Sequence, residues 1–382
     1  MTQRLQNLLL VVGTIAVLLI VLELPAALRL IDYRAVFRTG PALATGKPWQ
    51  NPYNRADDQL LWIHRPQQHI TGKAVGDMVA WLGIATDRLY PVDVTYDRNG
   101  FRNARDLDSA AVVLIGDSFL EWSNVGQADL LGGVLERRLG EPVANLGQSG
   151  YGPRQERIVL TRFGLPLRPR VVVWEFFEGN DLTDLARYDD WIGNWARIRA
   201  QQDAFSERSF LHNAWRTAVA VATRPSSVDA PTATARACKV VTGQARDSAL
   251  YFAYSGLPLQ ERELTGLAKV ESIITDAQAE ARRQGVELVL MFVPTKFRVY
   301  GSLCTYPPEG EARKWVVNDM PERLAAWAAT GNLPFLDLTP ALRAAALNGP
   351  LLYFIDDGHW SPRGHQVAAD TLAEFLRVRG TH

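Results

Sequence analysis

From residue 111 onward the chain repeats one pattern: a short, unbroken apolar run, a loop, then a stretch with helical spacing. The runs are Ala111–Ile115, Val143–Leu146, Val171–Phe176, Val286–Val293 and Leu333–Leu338, several of them rich in β-branched residues. Short runs of this kind suit strands buried on both faces. Between and after them, Leu130–Leu139, Arg154–Phe163, the stretch from Leu264 to Ala277 that ends near Gly285, and His365–Val378 read as helices. Strands that alternate with helices predict an α/β layer structure around a parallel sheet.

The remainder is organised around that core. A chain of 382 residues, 47% hydrophobic and 21% charged, is long enough for one large or two ordinary domains and too apolar for a disordered polymer. Lys and Arg (41) balance Asp and Glu (41), and zero formal charge argues against a nucleic-acid binder. Residues 31–108 form a lead-in rich in Pro, Asn and aromatic residues. In it Val94–Tyr96 reads as a strand and Asp97–Gly100 as a turn. Between about 182 and 254 the alternation lapses. Trp191, Trp195 and Trp215 sit in helix-like stretches there, and residues 224–237 read as a polar loop, so this region is expected to be a helical insertion or cap. No repeat occurs at solenoid periods.

The N-terminus carries a second constraint. Leu8–Leu22 has thirteen aliphatic residues in fifteen and no charge; with Leu24, Ala26, Ala27 and Leu28 it approaches the roughly 20 residues of one bilayer crossing. The competing reading is a cleaved signal peptide, for which Pro25-Ala26-Ala27 is a poor cleavage site. The expectation is an uncleaved anchor over 1–30, single-pass, with the catalytic body outside the cytoplasm. Arg4 before the span and Arg29, Arg34 and Arg38 after it do not favour an inside N-terminus by charge alone. Cys238 and Cys304 exclude a disulfide-dense scaffold; they bridge in an oxidising compartment or stay thiols, and sequence leaves both open.

Four loops at strand ends carry the chemistry. Gly116-Asp117-Ser118 follows the first run and places a serine at the edge of the sheet where ligands bind; alone, Asp-Ser there is an ordinary helix cap. Asn145 through Gly152 follows the second run and offers backbone N–H groups. Glu178-Gly179-Asn180-Asp181 follows the third and offers a side-chain amide, though a cap reading also fits. Asp356-Asp357-Gly358-His359 precedes the last helix. A serine nucleophile needs a base, the base needs an orienting acid, and the developing oxyanion needs several donors. The four loops together supply all of these.

These residues resemble the SGNH/GDSL hydrolase superfamily over roughly 109–380, the 182–254 insertion aside. Gly116-Asp117-Ser118-Phe119 stands for the GDS(L) block with Phe for Leu, Gly150 for the glycine block, Gly179-Asn180-Asp181 for GxND without its intervening residue, and Asp356-x-x-His359 for DxxH. The resemblance implies a three-layer α/β/α, flavodoxin-like fold and ester hydrolysis. It assigns Ser118 as nucleophile, His359 as base and then acid, and Asp356 as orienting acid. It builds the oxyanion hole from the Ser118 and Gly150 N–H groups and the Asn180 amide. Asp357 is a rival for the orienting role, and the family spacing favours Asp356.

No cofactor and no metal are expected. His64, His69, His212 and His382 show no metal-ligand spacing, and His365 opens the last helix. Gly40–Lys47 has the outline of a phosphate loop but five residues between its glycines and Pro48 after its lysine. Trp122, Tyr151 and Trp360 flank the motif residues and suit either sugar stacking or packing. The expected activity is a serine esterase on an O-acyl, especially O-acetyl, ester of a small molecule or an envelope polysaccharide. An O-acyltransferase using the same triad is the alternative, and a non-catalytic binding protein on a hydrolase fold is the second.

Overall fold

The computed structural model describes residues 3–37, 48, 51, 53–84, 86–202, 204–222 and 230–380. The expected loop at Gly40–Lys47, residues 224–229 of the polar loop and His382 lie outside them. The chain divides into two compact units: Met1–Trp62 with Asn194–Ser227, and Ile63–Gly193 with Val228–His382.

The larger unit holds a five-stranded sheet. Its strands are β1 (Val112–Ile115), β2 (Val143–Asn145), β3 (Val171–Phe177), β4 (Glu287–Val293) and β5 (Phe335–Asp337). All neighbours are parallel, in the order β5-β4-β3-β1-β2. That is the flavodoxin-like order, whose switch point lies between β1 and β3. The apolar runs become central strands because both faces are covered. Val112, Leu114, Val171, Val173, Val289 and Met291 join the core shared with the helices Leu131–Leu139, Thr339–Asn348 and Pro362–Val378. On the other face Trp174 reaches Glu156 of the helix Pro153–Val159 with its indole N–H. That helix packs with Asp181–Gly193 and Glu261–Arg283. The result is the three-layer α/β/α arrangement expected from sequence.

Differences fall where polarity hides the pattern. The lead-in contains an antiparallel pair, His69–Ala74 with Tyr90–Thr95, of which sequence anticipated only the end. Both strands are largely polar, and Pro91 sits in one, as an edge strand tolerates. The expected helix Arg154–Phe163 is α-helical only to Val159 and continues as a wider π turn over Leu160–Gly164. The region expected as an insertion opens with Asp181–Gly193, a regular helix of the layer. It later contributes two short strands, Ala237–Val240 and Ala249–Tyr251, to a small antiparallel sheet with Cys304–Thr305. Cys238 and Cys304 are joined by a disulfide.

In the smaller unit one helix, Gln3–Ala27, is 25 residues long and apolar and long enough to cross a membrane. The acid within its last turns is not left bare. Glu23 accepts hydrogen bonds from the Ser209 hydroxyl (2.7 Å) and from the N–H groups of Leu211 (2.7 Å) and Phe210 (3.2 Å), at the start of the helix Phe210–Ala222.

Candidate active site

β1 ends at Ile115 and the chain turns at once into the short helix Ser118–Glu121. The turn depends on Gly116, where a Cβ would collide with the Glu175 side chain of β3. Asp117 caps the helix, its Oδ1 accepting from the Phe119 N–H at 2.9 Å. The cap reading and the nucleophile reading therefore apply to neighbouring residues: Asp117 caps, and Ser118 is left to the site. At the end of β2, Asn145 ties the next loop to this one by donating to the Leu120 carbonyl (2.7 Å) and accepting from the Gly147 N–H (3.1 Å).

Ser118 Oγ lies 2.8 Å from His359 Nε2, and His359 Nδ1 lies 2.7 Å from Asp357 Oδ1. Serine, imidazole and carboxylate thus form one hydrogen-bonded line across 241 residues of sequence. Trp122 lies flat on the imidazole (centroids 3.8 Å apart, planes 13° apart) and donates its indole N–H to Asp357 Oδ2 at 2.8 Å. Asn124 adds a second donor to that oxygen at 3.0 Å. The Asp357 carboxylate is therefore aimed by two side chains, and Trp122 stacks against the ring.

The geometry sets Asp357, and not the expected Asp356, against the imidazole. Asp356 turns away from His359, and its carboxylate accepts from the Tyr90 hydroxyl. The chain bends through residues 355–359, and at that bend Asp357 takes the place beside the imidazole. Sequence also missed Asp77. Its Oδ2 is 3.5 Å from His359 Nδ1, its Oδ1 accepts from the Gly358 N–H (2.9 Å), and its own N–H donates to Asp357 Oδ2 (3.3 Å). A Gly-Asp pair before a short helix reads only as a helix start, so no local signal marks it. Lys296 was missed as well. Buried, it donates to the carbonyls of Tyr251 (2.9 Å) and Phe354 (2.7 Å) and pins the loop that carries Asp357.

Electrostatics follow from burial. Burial alone would lower the His359 pKa, but the Asp357 carboxylate outweighs it, and Asp77 and Asp117 add to the pull, so the ring sits above its ordinary value. Burial likewise pushes Asp357 up, and His359, its hydrogen bonds and Lys296 bring it below the usual carboxylate range. Asp77, buried and beside the Asp357 charge, is raised to about 7. Lys296 is lowered to about 7 by burial, against the attraction of Asp357, Asp77 and Asp356. The ligand atoms of Asp77, Asp357 and His359 also lie close enough to hold a cation; here they are engaged in the hydrogen bonds just described.

The remaining expected residues lie on the loops after β2 and β3. Gly150 lies in the turn after β2 with φ +79°, a conformation that favours glycine. Asn180 follows β3; its amide donates to Asp184 at 2.6 Å and also interacts with Asp117. Behind the nucleophile lie five buried acids, Asp117, Glu156, Glu175, Asp181 and Asp184, all with pKa values raised first by burial. Asp184 is raised to about 7. Because its folded value exceeds the ordinary 3.8, its contribution to stability is complete below that value and is lost as pH rises through about 7. Asp184→Asn should therefore raise the melting temperature by more at pH 8 than at pH 5. An equal shift at both pH values, read by calorimetry, would show that Asp184 is ionised throughout.

Three of the other histidines have side-chain partners. His64 pairs with buried Glu121 (3.3 Å), and His69 with Asp93 at the surface (2.7 Å). Buried His365 accepts from the Leu131 N–H (3.2 Å), and burial lowers its pKa to about 3.

Residues 244–382 match the family model described as the SGNH hydrolase-like domain of acetyltransferase AlgX. The matched part contains Lys296, Asp357 and His359, and Ser118 precedes it. Two proteins described as "Probable alginate O-acetylase AlgJ" are similar. The one from Pseudomonas aeruginosa is 32% identical over 114 residues, 29% of this chain and 27% of that protein. The one from Pseudomonas fluorescens is 28% identical over 108 residues, 28% of this chain and 26% of that protein. The matched stretch thus spans about a quarter of each curated relative. Among solved structures, the acetylxylan esterase Axe2 of Geobacillus stearothermophilus is 13% identical, with a TM-score of 0.37 over 71% of this chain and 95% of that one, a likeness too low to bear on activity. Residues 244–382, which carry β4, β5, Asp357 and His359, are thus similar to the SGNH hydrolase-like domain of acetyltransferase AlgX, and β1–β3 with Ser118 lie before the matched part.

Proposed function

We propose that this protein is an O-acetyltransferase that passes an acetyl group through Ser118 to a hydroxyl of an envelope polysaccharide. The observation that carries the reading is the hydrogen-bonded line Asp357–His359–Ser118. In the first half-reaction the Ser118 proton moves to His359 Nε2 as Oγ bonds to the acyl carbon. The carbonyl oxygen becomes an oxyanion facing the Ser118 and Gly150 N–H groups and the Asn180 amide. Collapse breaks the bond to the donor's leaving oxygen, which takes the proton from His359. In the second half His359 accepts the proton of the acceptor hydroxyl, that oxygen attacks the acetyl carbon, and Ser118 leaves with the proton restored. Asp357 holds the tautomer and stabilises the imidazolium in both halves.

Transfer is favoured over hydrolysis by the family match at residues 244–382 and by a nucleophile only 8% exposed, which limits water. A groove of about 760 Å³ opens beside the catalytic loop; its lining includes Arg88, Tyr251 and three carboxylates, Asp87, Asp247 and Asp356, so its charge does not select for acidic sugars. The Gln3–Ala27 helix supports a membrane anchor. Its hydrogen bonds through Glu23 to the rest of its unit support retention after export, and the Cys238–Cys304 disulfide supports a non-cytoplasmic side.

The test is partition. The full-length protein in detergent is given p-nitrophenyl acetate with and without deacetylated polyuronate. Acetyl esters on the polymer, formed at the expense of free acetate, are the expected result. Acetate release that is unchanged by acceptor, with an unmodified polymer, would leave the esterase reading. In the same assay Asn180→Ala should lose about 10²–10³ in turnover, the usual cost of one oxyanion donor. A loss confined to stability, with turnover of the folded fraction intact, would remove Asn180 from the oxyanion hole.

A further inference from the structure

The helix Phe210–Ala222 has two unlike faces. One is fixed within its own unit: Phe210 packs edge-on against Tyr33 and Phe37 (centroids 5.2 and 5.1 Å), and buried Asn213 donates to the Glu207 and Ser209 carbonyls. The opposite face exposes Leu211, Trp215, Ala218, Val219 and Ala222, which fall on one helical stripe. Trp215 is 71% exposed, an extreme value for the largest apolar side chain. Arg216, exposed beside it and paired with Glu207 (3.8 Å), borders the stripe.

What covers this face follows from where the helix begins. The uncharged run Leu8–Leu22 is fifteen residues, about 22 Å of helix, shorter than the roughly 30 Å hydrocarbon core. Glu23, the next residue, is therefore held at or inside the boundary between acyl chains and headgroups. Its carboxylate accepts hydrogen bonds there from the Ser209 hydroxyl and the first N–H groups of Phe210–Ala222. Arg208 further binds the Ala26 carbonyl at 2.9 Å. The start of the amphipathic helix is thus tied to the end of the span by four hydrogen bonds, and Leu28 and Leu30, after the span, are exposed apolar residues as well. A tryptophan on an apolar stripe with an arginine border is the composition of a helix lying in the interfacial plane.

We infer that the Phe210–Ala222 helix is a second membrane contact, seating the Leu211–Trp215–Val219 face in the lipid interface at the exit of the Gln3–Ala27 span. The inference rests on the reading of Gln3–Ala27 as a membrane anchor. The seating makes the junction at Glu23 a fixed corner in place of a swivel, so the chain after the span leaves the bilayer in a set direction.

The experiment uses the full-length protein with its disulfide intact, in vesicles of phosphatidylethanolamine and phosphatidylglycerol. Single variants V12C, L211C, W215C and R216C carry a nitroxide, and its collisions with oxygen and with a water-soluble nickel chelate are compared. The expected result is an oxygen-rich environment at V12C, L211C and W215C and a nickel-rich one at R216C. If V12C is oxygen-rich while L211C and W215C match R216C, the span stands and the interfacial helix is refuted. A nickel-rich V12C would refute the span and the inference with it. Shielding of L211C and W215C from both reagents, or spin–spin broadening there, would place protein or a second copy on the face and equally overturn it.

Discussion

Ser118→Ala should leave a folded protein whose acetyl transfer is lower by about 10⁴–10⁶. The fold should survive because the turn is held by others. Asp117 caps the Ser118–Glu121 helix, the Asp117 N–H donates to Glu175 Oε2 at 3.0 Å, and Asn145 secures the Leu120 carbonyl. The hydroxyl itself bonds only toward His359 (2.8 Å) and the Asp117 carboxylate (3.3 Å), so its removal costs the site its nucleophile and little else. The check is a pre-steady-state burst of p-nitrophenolate and an acetyl adduct on the intact protein, both present in the wild type and absent in the variant. An unchanged turnover in Ser118→Ala would end the covalent mechanism, and a wild-type adduct on another residue would move it elsewhere.

The strands were legible because an all-apolar run bounded by turn residues has few other uses, and the sheet's order then brings the ends of β1, β2 and β3 together. The motif loops were legible for the same reason: each follows a strand whose end is fixed. What sequence did not disclose depends on contacts between distant segments. Asp77 meets the Asp357–His359 loop across some 280 residues, and nothing in its neighbours marks that meeting. The choice between Asp356 and Asp357 depends on a tyrosine, Tyr90, in a strand whose polar text and Pro91 conceal it. Glu175 stands inside the apolar run of β3, where burial first, and then the distant Asp117 and Asp181 carboxylates, raise its pKa. Glu23 likewise finds its partners, Ser209, Phe210 and Leu211, some 186–188 residues away, where its own neighbours give no sign of them.

Asp357→Asn should lower turnover by about 10⁴, as loss of the tautomer-holding carboxylate does, while Asp356→Asn should cost far less. An amide at 357 can present its N–H to Nδ1 and so favour the tautomer that cannot accept the Ser118 proton. The pH profile separates this from simple disorder. The base must be neutral, so activity falls as pH drops through the His359 pKa. That pKa is depressed by burial and then raised above its ordinary value, chiefly by Asp357, which places the acidic limb of the wild type high. Without the Asp357 charge the limb should move to lower pH. The same change acts on Asp77, whose pKa of about 7 is due to burial first and to Asp357 second. Relieved of that repulsion, Asp77 should ionise more readily, 3.5 Å from Nδ1, and carry part of the orienting role. The residual activity of Asp357→Asn should then disappear when Asp77→Asn is added, whereas Asp77→Asn alone should have a modest effect. A limb that stays in place in Asp357→Asn, or Asp356→Asn proving the more damaging of the two, would return the orienting role to Asp356 and require a loop conformation different from the one seen here.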